Sequence, residues 1–472
     1  MRPLFTSALL LAASQASAVT VELEPGADVA ALTASMGPGD EFIFNAGTYE
    51  LPGPLNWTAL GTEAEPVVIR TAGNGDVALQ ITDGGHVVRI QDSTHVVLRD
   101  IVFTGTDERY DESGFNGLIV QNSSDITVQD VVVTHVGGNG ILLNGDNQRL
   151  TVQDCEVFDV RTGAGIQAGC GNASCWLSDS VLTNNLVHDV IGDRKYGIEI
   201  LPGGQGNTVQ DNVIYGVTGV GIGVSTTEFS TPNTVQGNVV WRATDAGIRV
   251  AGSATVRNNI VFQVEGNGIR SSDQFTDSLQ DVVISHNTVV DTTDWGVRLQ
   301  GWNEKPGMVF ANNAVVNPTG RAFSVDDDEW DDGNVISGNV MTGLVEDLDV
   351  TLGHFEAGAG YTDFEDAAAW DFYPTPSSML IGMGDSSAEA NVPEVDFSDF
   401  PRDGQAPDVG AYEYVGAGNP GWIVQEDFKG EAGSPNSGED LGGGCCGDDG
   451  SDAGALLWPL LALFALRRRR ED

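Results

Sequence analysis

Three arginines occupy equivalent places in a short apolar phrase that returns along the chain. The phrase reads Gly-Ile-Arg-Val at 247–250, Gly-Ile-Arg-Ser at 268–271 and Gly-Val-Arg-Leu at 296–299. Guanidinium groups recognise carboxylates and sulfates in a planar, bidentate manner. Arg249, Arg270 and Arg298 are therefore candidates for binding a polymer that carries a repeated negative charge.

Lys195 and Glu199 precede the arginines, and Glu199 fills the variable position of the same phrase in Gly-Ile-Glu-Ile. β-Elimination at a uronic acid needs a base for the C5 proton, a cation that neutralises the sugar carboxylate and support for the departing oxygen. Lys195 is the candidate base, and Arg249 and Arg270 are candidates for the other two tasks. Glu199 could position a hydroxyl or, with Asp193, hold Ca²⁺, which favours clustered oxygen ligands. The alternative for Lys195 is a solvated turn residue.

Two interpretations of the arginines are open at this point. Asp245 and Asp294 each lie four residues before an arginine of the series, and the three aspartates at 326–328 lie one turn beyond Arg298, so acids of the neighbouring loops could neutralise the column. Otherwise the arginines form a local basic strip that binds an acidic glycan. Trp295 and Trp302 border the Arg298 end, where their faces could stack on sugar rings or cover the apolar end of the fold.

The phrase that carries these residues is a repeat. It occurs at 140–143, 165–168, 197–200, 221–224, 247–250, 268–271 and 296–299. A partner phrase, usually Asn before apolar residues, begins at Val131, Cys155, Asn185, Asn212, Asn238, Asn259, Asn287, Asn313 and Asn339. Its steps of 21 to 30 residues, with strand-like and no helical periodicity, predict an all-β right-handed parallel β-helix with three short strands in each turn.

The repeat also predicts which side chains face outward. Gly-Ile-x-Val is the first strand, and 208–210 and 213–215 exemplify the second and third. Strand alternation points the x residue outward, so one column contains Leu142, Gln167, Glu199, Gly223, Arg249, Arg270, Arg298 and Ser324. The Asn between the second and third strands is predicted to take left-handed geometry in a tight turn and to bond to its equivalent one turn away.

The charge of the chain limits its partners. It has 68 acidic and 22 basic side chains and a net charge of −46, which excludes nucleic acid as an expected partner. An acidic ligand would have to be held by local arginines.

The two ends carry targeting signals. Residues 1–18 resemble a secretory signal peptide. At 453–466 an apolar stretch precedes the four arginines at 467–470, a pattern that retains a tail in a membrane. With Cys445 and Cys446 before it, this tail resembles the myxobacterial C-terminal sorting signal. The resemblance implies processing at one of these cysteines, membrane contact through the tail and a location at the cell surface or outer membrane of a bacterium. The alternative is an ordinary tail anchor.

The other three cysteines lie in the repeat region. Cys170 and Cys175 bracket a four-residue loop, and in an oxidising compartment they are predicted to form a disulfide. Cys155 takes the place of the turn Asn and is expected to point inward as a small apolar residue.

Two segments outside the repeats carry a family resemblance. Gly39-Asp40-Glu41-Phe42-Ile43-Phe44 and the segment from Arg402 to Tyr414 resemble the opening and closing parts of secreted β-helix proteins of the pectate-lyase-like superfamily. The resemblance covers roughly 20–415, and it implies that these segments cap the solenoid and that a groove follows the first strands. The superfamily includes lyases, hydrolases, epimerases and binding proteins, so it does not decide the activity.

One departure bears on the chemistry. Alginate and chondroitin lyases of this fold carry a lysine motif and, one turn later, an arginine motif at the first strand. Here the turn after Lys195 has Gly223 at that position, and Arg249 comes one turn later still.

The resulting domain prediction has six parts. They are a signal peptide at 1–18, an N-terminal cap and first turns at 19–97, β-helix repeats at 98–342, C-terminal turns and cap at 343–415, a flexible polar linker at 416–452 and a sorting or anchor tail at 453–472. The predicted function is a secreted, surface-attached monomer that acts on or binds an acidic polysaccharide, as a lyase or another carbohydrate-active enzyme. The alternative is a non-catalytic β-helix for glycan binding or adhesion.

Overall fold

The computed structural model describes residues 18–430 except 108–109, 112, 172–173, 227–230, 274–278, 326–333 and 347–354, with the backbone alone at 193–194 and 355–356. Its helices are Val29–Leu32 and the 3-10 turns Gly360–Asp363, Ala367–Ala369 and Ala388–Ala390. None of the described helices is long and apolar enough to cross a membrane. The predicted signal peptide up to residue 17, Cys445, Cys446 and the predicted tail at 453–472 lie outside the described residues.

Parallel strands stack turn upon turn into a solenoid with two long sheets. The second strands form one sheet and are Thr20–Leu23, Glu41–Phe44, Val67–Thr71, Thr94–Arg99, Ser124–Gln129, Thr151–Gln153, Val181–Thr183, Thr208–Gln210, Asn233–Gln236, Ala254–Arg257, Val282–Ser285, Val309–Ala311 and Val335–Ser337. Three two-residue strands pair beside this sheet: Asn147–Gln148, Leu177–Ser178 and Gly204–Gln205.

The first and third strands together form the other sheet. Third strands are Gly47–Leu51, Val77–Ile81, Val102–Thr104, Val132–Val136, Glu156–Val160, Val239–Ala243, Ile260–Val264, Thr288–Thr292 and Phe355–Ala357. First strands are Leu55–Trp57, His86–Gln91, Asn116–Gln121, Ile141–Asn144, Ile166–Ala168, Ala246–Ala251, Asn267–Ser271 and Trp295–Leu299. Four long strands contain a third and a first strand without a break: Leu186–Ile200, Val213–Ser225, Ala314–Val325 and Asn339–Glu346. The predicted all-β solenoid with three strands in each turn is confirmed.

Inward-facing apolar side chains form one continuous core inside the solenoid. Ile222, Ile248 and Ile269 pair in register on three consecutive first strands and are completely buried. Burial of each such side chain contributes about 1.5 to 3 kcal/mol to the stability of the fold. The phrase requires glycine for a steric reason, because a Cβ on Gly247 would lie 2.3 Å from Val261 Cγ1. The Gly-Ile pair therefore indicates that a first strand packs closely on a third strand.

The predicted asparagine ladder is confirmed. The amide Nδ2 of each member donates to Oδ1 of the next at 2.9–3.0 Å, through Asn185, Asn212, Asn238, Asn259, Asn287, Asn313 and Asn339. The backbone prediction is wrong by one residue, because the left-handed position is the residue before each of these asparagines, for example Asp211 with φ of 56°. This division lets the preceding residue make the turn while the ladder side chain points inward and stays buried.

The C-terminal segment folds back along the solenoid instead of continuing it. After residue 357 the chain packs on the outer face of the third strands, where Trp370 contacts Trp241 at 5.5 Å and Phe372 contacts Phe262 at 5.1 Å between ring centroids. The prediction of C-terminal turns and an end cap at 343–415 is therefore wrong for most of this range. The exposed apolar outer residues of the third strands need a cover, and this segment supplies it.

The predicted flexible linker also needs correction for 416–430. Trp422 and Val424 are buried in the same outer cluster. Lys429 Nζ donates to Asp211 Oδ1 at 2.5 Å and to the carbonyl of Phe397 at 2.8 Å. These few anchoring side chains order a stretch whose average composition is polar. The remainder of the predicted linker, 431–452, lies outside the described residues.

A stack of rings runs along the outer face of the third strands, and His188 is its charged member. Its imidazole lies 5.0 Å from the Phe158 ring and 4.9 Å from the Tyr215 ring, nearly parallel to both. Nδ1 contacts Asp189 at 3.1 Å and Nε2 contacts Glu156 at 3.2 Å. Burial lowers the pKa of His188, but these two carboxylates outweigh it and raise the pKa to about 9.

Stability is expected to fall between about pH 6.5 and pH 9 as His188 loses its proton. The folded pKa lies above the ordinary value of 6.5, so the stabilisation is fully present below pH 6.5 and is lost as the pH rises through about 9. The shift corresponds to about 3 kcal/mol. The measurement is the free energy of unfolding of the wild type and of His188→Phe, which keeps a ring in the stack, across this pH range. The two proteins should differ in slope, and parallel curves would contradict the assignment.

Candidate functional site

The predicted outward column exists, in the predicted register. Adjacent first strands pair Gln167 with Glu199, Glu199 with Gly223 and Gly223 with Arg249. The pairing continues through Arg270 and Arg298 to Ser324 and Glu346. Toward the N-terminus it passes through Leu142 and Ile119 to Arg89 and Asn56. Neighbouring members are one strand spacing apart, about 4.8 Å. The column is a continuous row that changes from a carboxylate to guanidinium groups.

A local insertion precedes Lys195, which lies four residues before this row in the same strand and lines the groove. Val190 pairs with Val217, but the next pair is Lys195 with Gly219, so one strand has three more residues than its neighbour between these points. The extra residues bulge out at 191–194, directly before Lys195. A Cβ on Gly192 would lie 2.9 Å from Lys195 Cγ, so the lysine stem packs on the bulge itself. The length of one loop therefore decides whether Lys195 reaches the groove.

Lys195 and Glu199 line the same groove. It has a volume of about 840 Å³ and is bordered by Ser113, Asn139, Arg161, Thr162, Gly163, Ala164, Gln167, Ile191, Gly192, Lys195, Tyr196 and Glu199. Tyr196, Asn139 and Arg161 are groove residues that were not predicted from the sequence. Tyr196 follows Lys195 directly, and this adjacency was the available signal. Asn139 and Arg161 belong to turns outside the repeated phrases and offered none.

A chain of amides fixes the Glu199 carboxylate. Gln167 Nε2 donates to Glu199 Oε2 at 2.6 Å, and Asn139 Nδ2 donates to Gln167 Oε1 at 3.4 Å. Burial raises the pKa of Glu199, opposed by the bond from Gln167 and by the charges of Lys195 and Arg249. The column thus holds a carboxylate in a position where ionisation is costly, as is common at functional sites.

Glu199→Gln is expected to raise the stability of the folded protein at neutral pH while weakening its interaction with ligand. A raised carboxyl pKa means that the ionised form costs stability above that pKa, and glutamine removes the cost at nearly constant volume. Thermal unfolding at pH 7 and at acidic pH measures the effect, which should shrink as the wild-type carboxyl becomes protonated. Equal melting temperatures of the two proteins at pH 7 would contradict the prediction.

Arg249 and Arg270 are not neutralised by direct contact with Asp245 or Asp294. Among the described side chains, no ion pair joins Arg249 or Arg270 to Asp245 or Asp294. Asp294 instead contacts Arg321 at 3.5 Å. The Nε atoms of Arg249 and Arg270 are buried and make no hydrogen bond with the described residues.

The arginines also repel one another. Burial lowers the pKa of Arg270, and Arg249 adds to this effect, while Asp245 acts in the opposite direction from a distance. For Arg270, the first interpretation of the column, pairing with Asp245 and Asp294, therefore holds only as a long-range effect, and the aspartates at 326–328 lie outside the described residues. The guanidinium groups of Arg249 and Arg270, which make no ion pair with the described residues, are suited to binding an external anion.

The two tryptophans are not available as sugar platforms, and that prediction is wrong. Trp302 is fully buried in the core, where its Nε1 donates to Ser271 Oγ at 2.9 Å. Trp295 is 5% exposed and lies under Arg321, whose guanidinium carbon is 5.0 Å from the ring centroid. Large apolar rings next to a solenoid core gain more from burial there than from exposure on the groove. The alternative, an apolar cover, fits both residues.

The remaining predicted site residues have different outcomes. Cys170 and Cys175 form a disulfide with a Cα–Cα distance of 5.6 Å, and Cys155 is a buried free thiol. No group of three or more His, Cys, Asp or Glu among the described residues could hold a metal ion. For the proposed Ca²⁺ site, Glu199 Oε2 already accepts from Gln167, and the Asp193 side chain lies outside the described atoms.

The fold and the groove together define a class: a parallel β-helix with a polar groove on the outer face of its first strands. The chain belongs to the family described as "Right handed beta helix region", whose model matches residues 69–231, 116–278 and 178–315. These overlapping matches span more than half of the chain. The handedness predicted from the repeat is thereby confirmed.

Solved structures show the same fold at low identity. Pectate lyase Pel9A has a TM-score of 0.54 at 14% identity and covers 84% of this chain and 97% of its own. The A-module of Azotobacter vinelandii mannuronan C-5 epimerase AlgE4 has a TM-score of 0.53 at 18% identity and covers 70% and 93%. The alginate lyase AlyGC of family PL6 has a TM-score of 0.53 at 16% identity and covers 76% and 56%. No sequence among curated proteins matches this chain.

Proposed function

We propose that this protein binds an acidic polysaccharide along the first-strand column and cleaves it by β-elimination. The observation that carries the proposal is the row itself. It places Glu199 two positions from Arg249 and three from Arg270, Lys195 lines the same groove as Glu199, and the two arginines make no ion pair with the described residues. The similar structures named as pectate lyase, mannuronan epimerase and alginate lyase support the fold on which such a groove is built.

The proposed reaction uses the groove residues in sequence. Lys195 removes the proton at C5 of a uronic acid residue, and Arg249 neutralises the carboxylate on which negative charge then develops. The C4–O bond breaks as the C4=C5 double bond forms, and the departing oxygen takes a proton from a groove donor or water. Glu199, held by Gln167, receives a hydrogen bond from a sugar hydroxyl and so fixes the ring. The overall reaction needs no added water or oxidant.

The second candidate is a non-catalytic glycan-binding protein. It is favoured by one observation: Gly223 stands one turn after Lys195, where lyases resembling this chain carry an arginine, and Arg249 is a further turn away. The binding column would serve this function without Lys195.

Incubation of the purified chain with alginate, pectate and chondroitin separates the two candidates. β-Elimination yields unsaturated products that absorb in the ultraviolet, and calorimetric titration measures binding. Turnover that requires Lys195 supports the lyase, and binding without turnover supports the second candidate. A protein that neither binds nor cleaves any of the three polymers contradicts both.

We further propose that the protein is secreted and held at the bacterial cell surface. The support is the signal-like sequence at 1–18 and the cysteine-containing tail that ends in arginines at 467–470. Deletion of 445–472 is expected to move the protein from the cell surface to the medium, as measured by fractionation. Unchanged surface retention of the deleted form contradicts the role of the tail.

A further inference from the structure

Gly223 stands out as the glycine of the first-strand column. The other column positions described, from Asn56 to Glu346, carry side chains. Gly223 lies between Glu199 on one neighbouring strand and Arg249 on the other. Its backbone does not adopt the left-handed conformation that favours glycine, so the backbone does not explain the choice.

The Tyr196 ring explains it. A Cβ on Gly223 would lie 2.4 Å from Tyr196 Cε1 and 2.6 Å from Tyr196 Cδ1, so any larger residue would displace the ring. Tyr196 comes from the neighbouring turn, where it pairs with Val220 three residues before Gly223. The ring therefore crosses from its own strand and lies over the bare backbone at Gly223.

This ring belongs to the groove. Tyr196 lines it together with Lys195 and Glu199, and it is partly exposed. The column thus has three consecutive surfaces: a carboxylate at Glu199, an aromatic ring over Gly223 and a guanidinium group at Arg249. Aromatic faces are suited to the apolar face of a sugar ring, while the charged neighbours are suited to its hydroxyl and carboxylate groups.

We propose that Tyr196 positions the sugar ring between Glu199 and Arg249, and that Gly223 is required because it leaves space for Tyr196. This inference rests on the proposed function, since it names the specificity-determining contact of the same groove. Tyr196 acts here as a positioning residue, through its ring. The position of Gly223, which has no side chain of its own, is then the central sugar site between the two charged groups.

A double-mutant cycle tests the proposal on the full chain with the polymer that the wild type binds or cleaves best. Gly223→Ala and Tyr196→Ala are each expected to raise KM, or Kd if there is no turnover, by about tenfold, because each removes the ring from its place. The KM or Kd of the double variant should be no higher than that of Tyr196→Ala alone, since Gly223→Ala acts only through the ring. Fully additive losses would overturn the proposal.

Tyr196→Phe separates the ring from its hydroxyl. It should restore the KM or Kd lost in Tyr196→Ala, because the stacking face remains, and a loss as large as that of Tyr196→Ala would overturn the positioning role. Gly53→Ala is the matched control, since a Cβ there meets nothing within 4 Å. If Gly223→Ala fails to fold by circular dichroism, the comparison of Tyr196→Ala with Tyr196→Phe decides alone. A wild type that neither binds nor cleaves any acidic polymer contradicts the proposed function. An active wild type whose two single variants have additive losses contradicts only this inference.

Discussion

Lys195→Ala is expected to reduce turnover of the acidic polysaccharide by about 10²- to 10⁴-fold, the range associated with a general base. Lys195 is placed in the groove by the bulge at 191–194 and lies close enough to Glu199 to act on the pKa of that carboxyl. Arg249 acts on the same carboxyl from two strands away. Removal of the lysine therefore leaves the binding column intact while it removes the proposed proton acceptor.

Two further variants make this result specific. Lys195→Arg keeps the positive charge but is a poor base, so turnover should remain low while Kd stays near that of the wild type. Lys305→Ala is the matched control, because Lys305 contacts Asp273 at 3.8 Å and does not line the groove. The measurement is kcat and KM from the rate of formation of unsaturated product. Recovery of turnover in Lys195→Arg would show that the lysine supplies charge alone, and full activity of Lys195→Ala would refute its role.

Arg402→Met is expected to lower the free energy of unfolding by about 3 to 5 kcal/mol, as when one partner of a buried ion pair is removed. The Arg402 side chain is 1% exposed. Its Nη2 donates to Asn258 Oδ1 and to the carbonyls of Gly410 and Ala411 at 2.8–2.9 Å, and its Nη1 donates to Glu413 Oε2 at 3.3 Å. Methionine fills much of the volume, but it leaves Asn258 Oδ1 without its donor and the buried Glu413 carboxylate without its cationic partner.

The loss should be concentrated where the C-terminal segment lies on the solenoid. Arg402 connects that segment to Asn258, which is one of the left-handed turn residues of the repeats. Denaturant unfolding gives the free energy, and limited proteolysis shows whether the segment from 360 onward is released first. Arg242→Ala removes an ion pair with Glu426 that is half exposed, and it should cost less than about 1 kcal/mol. Equal stability of Arg402→Met and Arg242→Ala would contradict this account.

The acidic character of the chain and an acidic ligand are compatible because the field is local. The net charge is −46, but exposed charges are screened beyond about 10 Å at 0.1 M ionic strength. Arg249, Arg270 and Arg298 follow one another in register on three first strands, so their fields add over a short distance. The strip can therefore attract carboxylates while the remainder of the surface repels them, which would align a polyanion with the solenoid axis.

The outward column and the asparagine ladder could be predicted residue by residue because both follow from the repeat. In a parallel solenoid, equivalent positions of consecutive turns are neighbours in space, so an alignment of repeats is also a map of contacts. Glu199, Gly223 and Arg249 were placed in their observed order on this basis. The left-handed turn residue was assigned one position too late, because the repeat shows that a turn exists without showing which of its residues makes it.

Features that do not repeat cannot be predicted from an alignment of the repeats. The placement of Tyr196 over Gly223 follows from a three-residue bulge in a single turn, and the burial of Trp302 follows from its contact with Ser271 on a neighbouring turn. The packing of Trp422 on the outer face of the third strands joins segments far apart in the chain. Such contacts depend on loop length and on long-range packing, which no internal alignment contains.

The sequence by itself determined the solenoid, its strand register and the row from Glu199 to Arg298, because one short phrase repeated with a constant offset leaves each turn only one way to stack on the next. The tertiary structure alone decided that Lys195, Tyr196 and Glu199 share a groove, that both tryptophans are covered and that the C-terminal segment returns along the third strands. The physical reason is that repeats encode nearest-neighbour stacking, whereas a groove and its cover depend on the few segments that depart from the repeat.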